Sequence, residues 1–348
     1  MVCNIHCGAE MDAMDIFYDH CFMDWPKERK ILQSEIRRLD FDFEALAMKL
    51  FFLQARFNPL YKQYLALIKR PPETVQSLLE IPFLPIRFFK ELTVRTGSFH
   101  PEKVFLSSGT GQTTRSRHQV RELEWYHDVS SICFEQAFGR SISDFLHVAY
   151  LPSYVDNPQS SLLEMIQTFI QASGGGFFHD DAIGMTKLIE SNKTGKPVLI
   201  WGVSYALFQW KENMSWGHRC QVIETGGMKG REKEITREEL HQRIISNFGL
   251  QRVSSEYGMT ELLSQSYSLS DGKFAPMFTF RVLPRNINDP LSNENTGYTA
   301  ALNVIDIANL DSCAFIATDD IGKVDRDGSF MVMGRLDNSD IRGCNLLV

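Results

Sequence analysis

Five short stretches of this 348-residue chain carry side chains that could do chemistry. Ser107-Ser108-Gly109-Thr110-Gly111-Gln112-Thr113-Thr114 is a hydroxyl- and Gly-rich turn that follows the apolar run Val104-Phe105-Leu106. Backbone N–H groups in such a turn can cradle phosphates. It is not a Walker loop, because GxxxxGK[ST] is absent, and the third Gly of GxGxxG would fall at Thr114. Taken alone it could equally be a polar strand-to-helix connection. Arg115 and Arg117 follow it, and either guanidinium could pair with phosphate. Thr225-Gly226-Gly227 ends the apolar run Val222-Ile223; backbone without side chains lets a flat purine lie against it, or merely ends a strand. Tyr257-Gly258-Met259-Thr260-Glu261 offers a carboxylate suited to Mg²⁺, which takes one or two carboxylates plus substrate phosphates. The same five residues could instead open a helix, with Thr260 as cap and Glu261 at the positive end of the dipole. Thr318-Asp319-Asp320, with Gly334-Arg335 beyond it, offers a carboxylate suited to ribose hydroxyls, or a hairpin and its turns. Cys344, near the last residue, is a thiol beside Arg342, which would lower its pKa and favour the nucleophilic thiolate.

The elements that must position these residues can be read from periodicity. Up to about residue 100 the chain reads mainly as helix: Phe43 to Phe52 has apolar residues at three- and four-residue spacing, and a second such stretch covers Tyr61 to Ile68. From Glu102 onward, β-like runs (Val104–Leu106, Leu146–Leu151, Val198–Trp201, Cys220–Glu224, Gln251–Ser254) alternate with helical ones (Glu122–Ala137, Ser161–Ala172, Met185–Glu190, Arg237–Phe248). That alternation predicts a parallel-rich α/β sheet with its ligands outside the carboxyl ends of the strands. After residue 270, Asn/Pro/Asp/Gly turns separate shorter strands (Phe278–Leu283, Thr299–Ile305, Ala314–Ala317, Phe330–Met333), the texture of a small antiparallel β subdomain.

In order and spacing the motifs resemble those of the adenylate-forming (acyl-CoA synthetase-like) superfamily, and the ending Arg342-Gly343-Cys344-Asn345-Leu346 resembles its LuxE-type acyl-protein synthetases. The resemblance covers roughly residues 80–348. It implies an α/β adenylating domain: a helical N-terminal region over 1–100, an adenylating core with a β subdomain over 101–335, and a hinge and short tail over 336–348 in place of the full C-terminal lid. It implies ATP and Mg²⁺ as cofactors, a carboxylic (fatty) acid as substrate, and an acyl-accepting reductase or other protein as partner. Ser107, Ser108, Gly109, Thr110, Gly111 and Thr113 would hold phosphate; Thr225, Gly226, Gly227, Tyr257 and Gly258 would face adenine. Thr260 would bond the α-phosphate, Glu261 would ligate Mg²⁺, Asp320 would bind both ribose hydroxyls, and Arg335 would contact ribose or phosphate. Cys344 would accept the acyl group. Two departures stand out: Arg115 and Arg117 occupy the place where the family's phosphate loop ends in Lys, and Asp319 replaces the Gly of its T-G-D pattern. Acyl- or aryl-CoA ligation, or a non-catalytic nucleotide- or acyl-binding role, are the alternatives.

Composition narrows the class further. A net charge of −7 argues against a general nucleic-acid binder, so an anionic nucleotide must be held by local donors. Seven scattered cysteines make no obvious disulfide framework, and Cys3-His6-Cys7 lacks the second ligand pair of a zinc finger. The absence of a signal-peptide pattern and of a long apolar stretch leads to the expectation of a cytoplasmic protein without a membrane span. Cys133 reads as a small buried hydrophobe and His147 as a satisfied core residue. His118 and His127, flanking a charged helical stretch, read as solvated or locally bonded.

Overall fold

The computed structural model describes residues 24–108, 114–152, 156–179, 181–210, 214, 216–226 and 236–336. Two compact units are distinguished, Met1–Phe41 and Asp42–Val348. The first contains helix α1 (Trp25–Arg38), with Pro26 in its first turn and Arg37 and Arg38 in its last, where proline and cations are favoured.

The second unit begins with α2 (Phe43–Phe57) and α3 (Pro59–Leu67). Asn58 separates them, and its side chain caps α3 by accepting the Tyr61 N–H at 3.1 Å. Both helices are tied into the second unit through buried amides. Gln54 donates to the carbonyls of Asn309 and Leu310 and accepts the Ala314 N–H, while Asn58 donates to the Ser312 carbonyl. The short β1 (Leu84–Pro85) and α4 (Phe88–Glu91) lead to a hairpin of β2 (Lys103–Leu106) and β3 (Arg117–Val120), whose loop holds the hydroxyl-rich turn.

A doubly covered sheet follows: α5 (Leu123–Phe138), β4 (Leu146–Tyr150), α6 (Ser161–Ser173), β5 (Gly176–Phe177), α7 (Ala182–Ser191), β6 (Val198–Val203), α8 (Ser204–Gln209), β7 (Cys220–Thr225), α9 (Arg237–Phe248) and β8 (Val253–Tyr257). With β9 (Ser266–Ser268) the order is β5-β4-β6-β7-β8-β9, parallel except for β9. The strands are apolar on both faces because both are covered. Val148, Ile200, Val222 and Val253 pack with Met185, Ile244 and Phe248 on one side. On the other, His147 and Trp201 lie among Phe134 and Phe169.

The remaining strands, β10 (Lys273–Phe274), β11 (Phe280–Arg285), β12 (Thr299–Asp306), β13 (Phe315–Val324) and β14 (Phe330–Arg335), form an antiparallel sheet in the order β10-β14-β13-β12-β11. The expected β subdomain is therefore present, with one addition: β1, from far earlier in the chain, pairs in parallel with β13. The strands expected at Gln251–Ser254 and Phe278–Leu283 start two residues later and run further. In the first case the extension carries the strand into Glu256 and Tyr257.

Candidate functional site

The parallel strand β8 ends at the second sheet, where Tyr257 meets Asp320. β7 ends at Thr225 and β8 at Tyr257, with Thr225 paired in register with Glu256. From the second sheet, Asp320 on β13 stands opposite Arg335 on β14. The Tyr257 hydroxyl donates to Asp320 Oδ2 at 2.7 Å, and Arg335 Nε donates to Asp320 Oδ1 at 2.9 Å. Asp320 is buried, whereas the Arg335 side chain is 74% exposed. A carboxylate has about four lone-pair sites, so two protein bonds leave capacity for two ligand hydroxyls. Burial, and then the Asp320 charge, push the Tyr257 phenol well above its usual range, so it stays protonated and donates. Its ring packs among Phe274, Phe280 and Phe330.

Glu261 lies in a turn rather than a helix, which removes the helix-start alternative for its motif. Its carboxyl is buried, and burial raises its pKa. The Ser116 hydroxyl and its own backbone, then the charges of Arg335 and Lys90, act in the opposite direction. The site thus joins Glu261 electrostatically to the neck of the hydroxyl-rich turn and to the guanidinium on Asp320. That neck is closed by Ser107 N–H to the Ser116 carbonyl at 3.1 Å, Ser116 N–H to Ser107 Oγ at 2.9 Å, and Arg115 Nε to the Ser107 carbonyl. Arg115 is therefore partly spent on holding the turn, while Arg117 is exposed. A single buried hard oxygen ligand suits Mg²⁺ completed by phosphates. Among the described residues no group of three His, Cys, Asp or Glu could hold a metal unaided.

Beneath the rim lie two carboxylates that sequence reasoning missed. Glu224 and Glu256 flank Thr225, whose hydroxyl donates to Glu256 Oε2 at 2.5 Å. Burial, reinforced by the Glu224 charge, pushes Glu256 up to about 7 against the Thr225 bond. For Glu224 burial also acts upward, but His241, Arg237, Ser204 and Ser255 outweigh it and the net shift is down. Arg237 Nε stands 3.3 Å from Glu224 Oε1, and Ser204 Oγ lies 2.6 Å from Glu224 Oε2 and 2.7 Å from the Gly226 carbonyl. Gly226 has φ +74°, a conformation L side chains rarely adopt. A Cβ on Gly258 would stand 2.3 Å from Glu256 Oε1, so a side chain there would have to displace the Glu256 carboxyl.

A second overlooked set holds the segment after Thr260. His118 Nδ1 bonds the Thr260 carbonyl at 2.8 Å, and Asn309 Nδ2 donates to the Glu261 carbonyl at 2.9 Å. Asp306 Oδ2 accepts the N–H groups of Leu263 and Ser264, and Oδ1 accepts the Ser264 hydroxyl. His118 is thus a buried residue of β3, not a solvated one, and burial lowers it to about 4. The acid Asp306, directly after Val304-Ile305 in a mostly apolar stretch, was a visible signal. The partners it serves were not.

His147 is the satisfied core residue expected, bonded to the Ile142 carbonyl and to Trp201 Nε1. Cys133 is buried, with its thiol raised by burial to about 11. Thr260 and Ser107 are half-buried, and Ser108, Gly226 and Gly258 are exposed. Gly109, Thr110, Gly111, Thr113, Gly227 and Cys344 lie outside the described residues, as does Cys3-His6-Cys7. Among the described residues no helix is long and apolar enough to cross a membrane.

Comparison with solved structures places this architecture. An ATP-bound RpMatB-BxBclM chimera matches it with a TM-score of 0.50 and 14% identity, over 67% of this chain and 47% of that one. The chain has the adenylate-forming fold. ATP-bound MatB from Rhodopseudomonas palustris matches with a TM-score of 0.49 and 14% identity, over 67% of this chain and 47% of that chain. O-succinylbenzoate Coenzyme A synthetase (MenE) from Bacillus subtilis, in complex with AMP, matches with a TM-score of 0.46 and 16% identity, over 68% and 49%. The chain thus spans about half the length of these proteins. No family model and no curated protein matches it.

Proposed function

We propose that this protein is an adenylate-forming acid–thiol ligase that activates a carboxylic acid, a fatty acid by preference, with ATP. In the first half-step a carboxylate oxygen bonds to the α-phosphorus as the bond to the leaving pyrophosphate breaks, giving an acyl-adenylate. In the second, the Cys344 thiolate bonds to the acyl carbon as the carbon–oxygen bond breaks and AMP leaves; the thioester then passes to an acyl-accepting protein. The observation that carries this reading is the buried Asp320, held between Tyr257 and the exposed Arg335. Its fold, like that of an ATP-bound protein, supports the nucleotide assignment.

In this reading Asp320 accepts the ribose hydroxyls, and the Thr260 hydroxyl and turn N–H groups orient the α-phosphate, where preorganised donors stabilise developing charge. Glu261 would hold Mg²⁺, which when bound neutralises phosphate charge. Arg335, bonded to Asp320 and largely exposed, would contact ribose or phosphate. Mass spectrometry of the intact protein and its peptides after ATP, Mg²⁺ and a mixture of carboxylic acids tests the proposal. A hydroxylamine-sensitive adduct on the peptide containing Cys344, lost in Cys344→Ser while ATP–pyrophosphate exchange persists, is the expected result. Label on another cysteine overturns the role of Cys344, and transfer to added CoA with no protein adduct replaces it with CoA ligation.

A further inference from the structure

We propose that His118 is a positioning residue that locks the Thr260-Glu261 turn to the hairpin carrying the hydroxyl-rich loop, so that the Glu261 carboxylate keeps a fixed place relative to that loop. The inference deepens the reading above and rests on it for the role of Glu261.

The geometry begins with separation: His118 and Thr260 are 142 residues apart, yet one bond joins a side chain of β3 to the backbone of the second motif. His118 sits opposite Phe105 of β2 in the hairpin register, next to the Leu106–Arg117 pair from which the loop springs. It is 1% exposed, with its ring edge-on to Phe89 at 5.8 Å, so it cannot swing aside without repacking. Nδ1 must carry the proton for a carbonyl to be its partner.

On the other side, Asn309 takes the next carbonyl, that of Glu261. Asp306 takes the amides of Leu263 and Ser264. The turn is therefore gripped at successive backbone groups from two directions: the β12–β13 connection and the hairpin. His118 supplies the hairpin side of this grip. Through it, a shift of the loop neck is transmitted to Glu261 as a shift of its backbone. Groups that orient a metal ligand without touching the metal typically alter metal affinity or activity by about 10–100-fold when removed.

The test compares His118→Leu, His118→Asn and His118→Gln in the full chain. Asn places an amide N–H where Nδ1 stands, Gln places it too far out, and Leu removes it. Hydrogen–deuterium exchange of the ligand-free protein should show faster exchange at the amides of residues 262–264 in the Leu and Gln variants, with Asn close to wild type. In ATP–pyrophosphate exchange, the Mg²⁺ concentration for half-maximal rate should rise about 10-fold or more in Leu and Gln and return in Asn, with the KM for the acid unchanged. Unaltered amide exchange in His118→Leu overturns the proposal, as does an unaltered Mg²⁺ requirement. If His118→Leu does not fold, the pair His118→Gln and His118→Asn decides the matter, since only Asn restores the bond to the Thr260 carbonyl; equal amide exchange in those two variants overturns the proposal too. Should the wild type catalyse no exchange with any acid, the adenylation reading falls while the amide measurements still decide the grip.

Discussion

Asp320 shows how much one residue can be asked to do. Its two oxygens already hold Tyr257 and Arg335, so its orientation is set before any ligand arrives. Tyr257→Phe removes a donor from a buried carboxylate, and bonds to charged groups contribute roughly 1.5–3 kcal/mol. Titration with a non-hydrolysable ATP analogue should show about 10- to 100-fold weaker binding, and equal affinity would refute the preorganising role of Tyr257. Glu261→Ala addresses the neighbouring carboxylate. Pyrophosphate exchange should fall by about 10²-fold or more if a metal contributes several kcal/mol there, and undiminished exchange would remove the Mg²⁺ assignment. The sequence exposed both acids because each sits beside glycine or hydroxyl residues in a recognisable spacing. It concealed Glu256, although Tyr257 follows it directly, because its raised pKa comes from burial beside Glu224 on another strand.

At the scale of elements, the β12–β13 connection holds the site together. Asp306 accepts three bonds from residues 263 and 264, Gln54 grips residues 309, 310 and 314, and Trp125 Nε1 donates to the Ala308 carbonyl. This connection is buried backbone, which must find partners, and the helices before the sheet supply them. Asp306→Ala would strand three buried N–H groups, those of Leu263, Ser264 and Ala308, each costing about 1–3 kcal/mol. Denaturant unfolding should therefore show a loss of roughly 3 kcal/mol or more; a loss below 1 kcal/mol would mean that water replaces the carboxylate. Strands and helices were legible from their apolar periods, as at Arg237–Phe248, where a Thr236/Glu239 capping box sets the start. The short α8 was not anticipated, having too few turns to show a period.

For the molecule as a whole, buried ionisable groups make stability depend on pH. Glu256 has a folded pKa of about 7 against an ordinary 4.5. The folded state therefore holds the extra proton between those values, and stability is lost as pH rises through them. His118 and His147, both lowered to about 4 by burial, act in the opposite sense: the folded state resists their protonation, so stability is lost as pH falls from 6.5 toward 4. Glu256→Gln isolates the first contribution. Relative to wild type, the variant should gain stability progressively from about pH 5 to pH 7, by up to about 3 kcal/mol, and hold that difference above pH 7. A difference independent of pH, followed by denaturant unfolding, would show that Glu256 stays ionised in the fold.

What the sequence determined by itself was local in kind. Alternating apolar strands and amphipathic helices announced a parallel sheet, and the motifs after β7 and β8 stood where such sheets bind ligands, whereas the strand before the hydroxyl-rich turn, expected in that alternation, pairs in a separate antiparallel hairpin. Tertiary structure alone decided which groups share one environment. Tyr257 and Asp320 come from different sheets and meet through a 2.7 Å bond, and His118 reaches Thr260 across 142 residues of chain. β1 joins a sheet whose other strands begin nearly two hundred residues later. The reason is physical: periodicity reports which face of an element is buried, but a buried polar atom is satisfied by whichever partner the packed chain brings within about 3 Å.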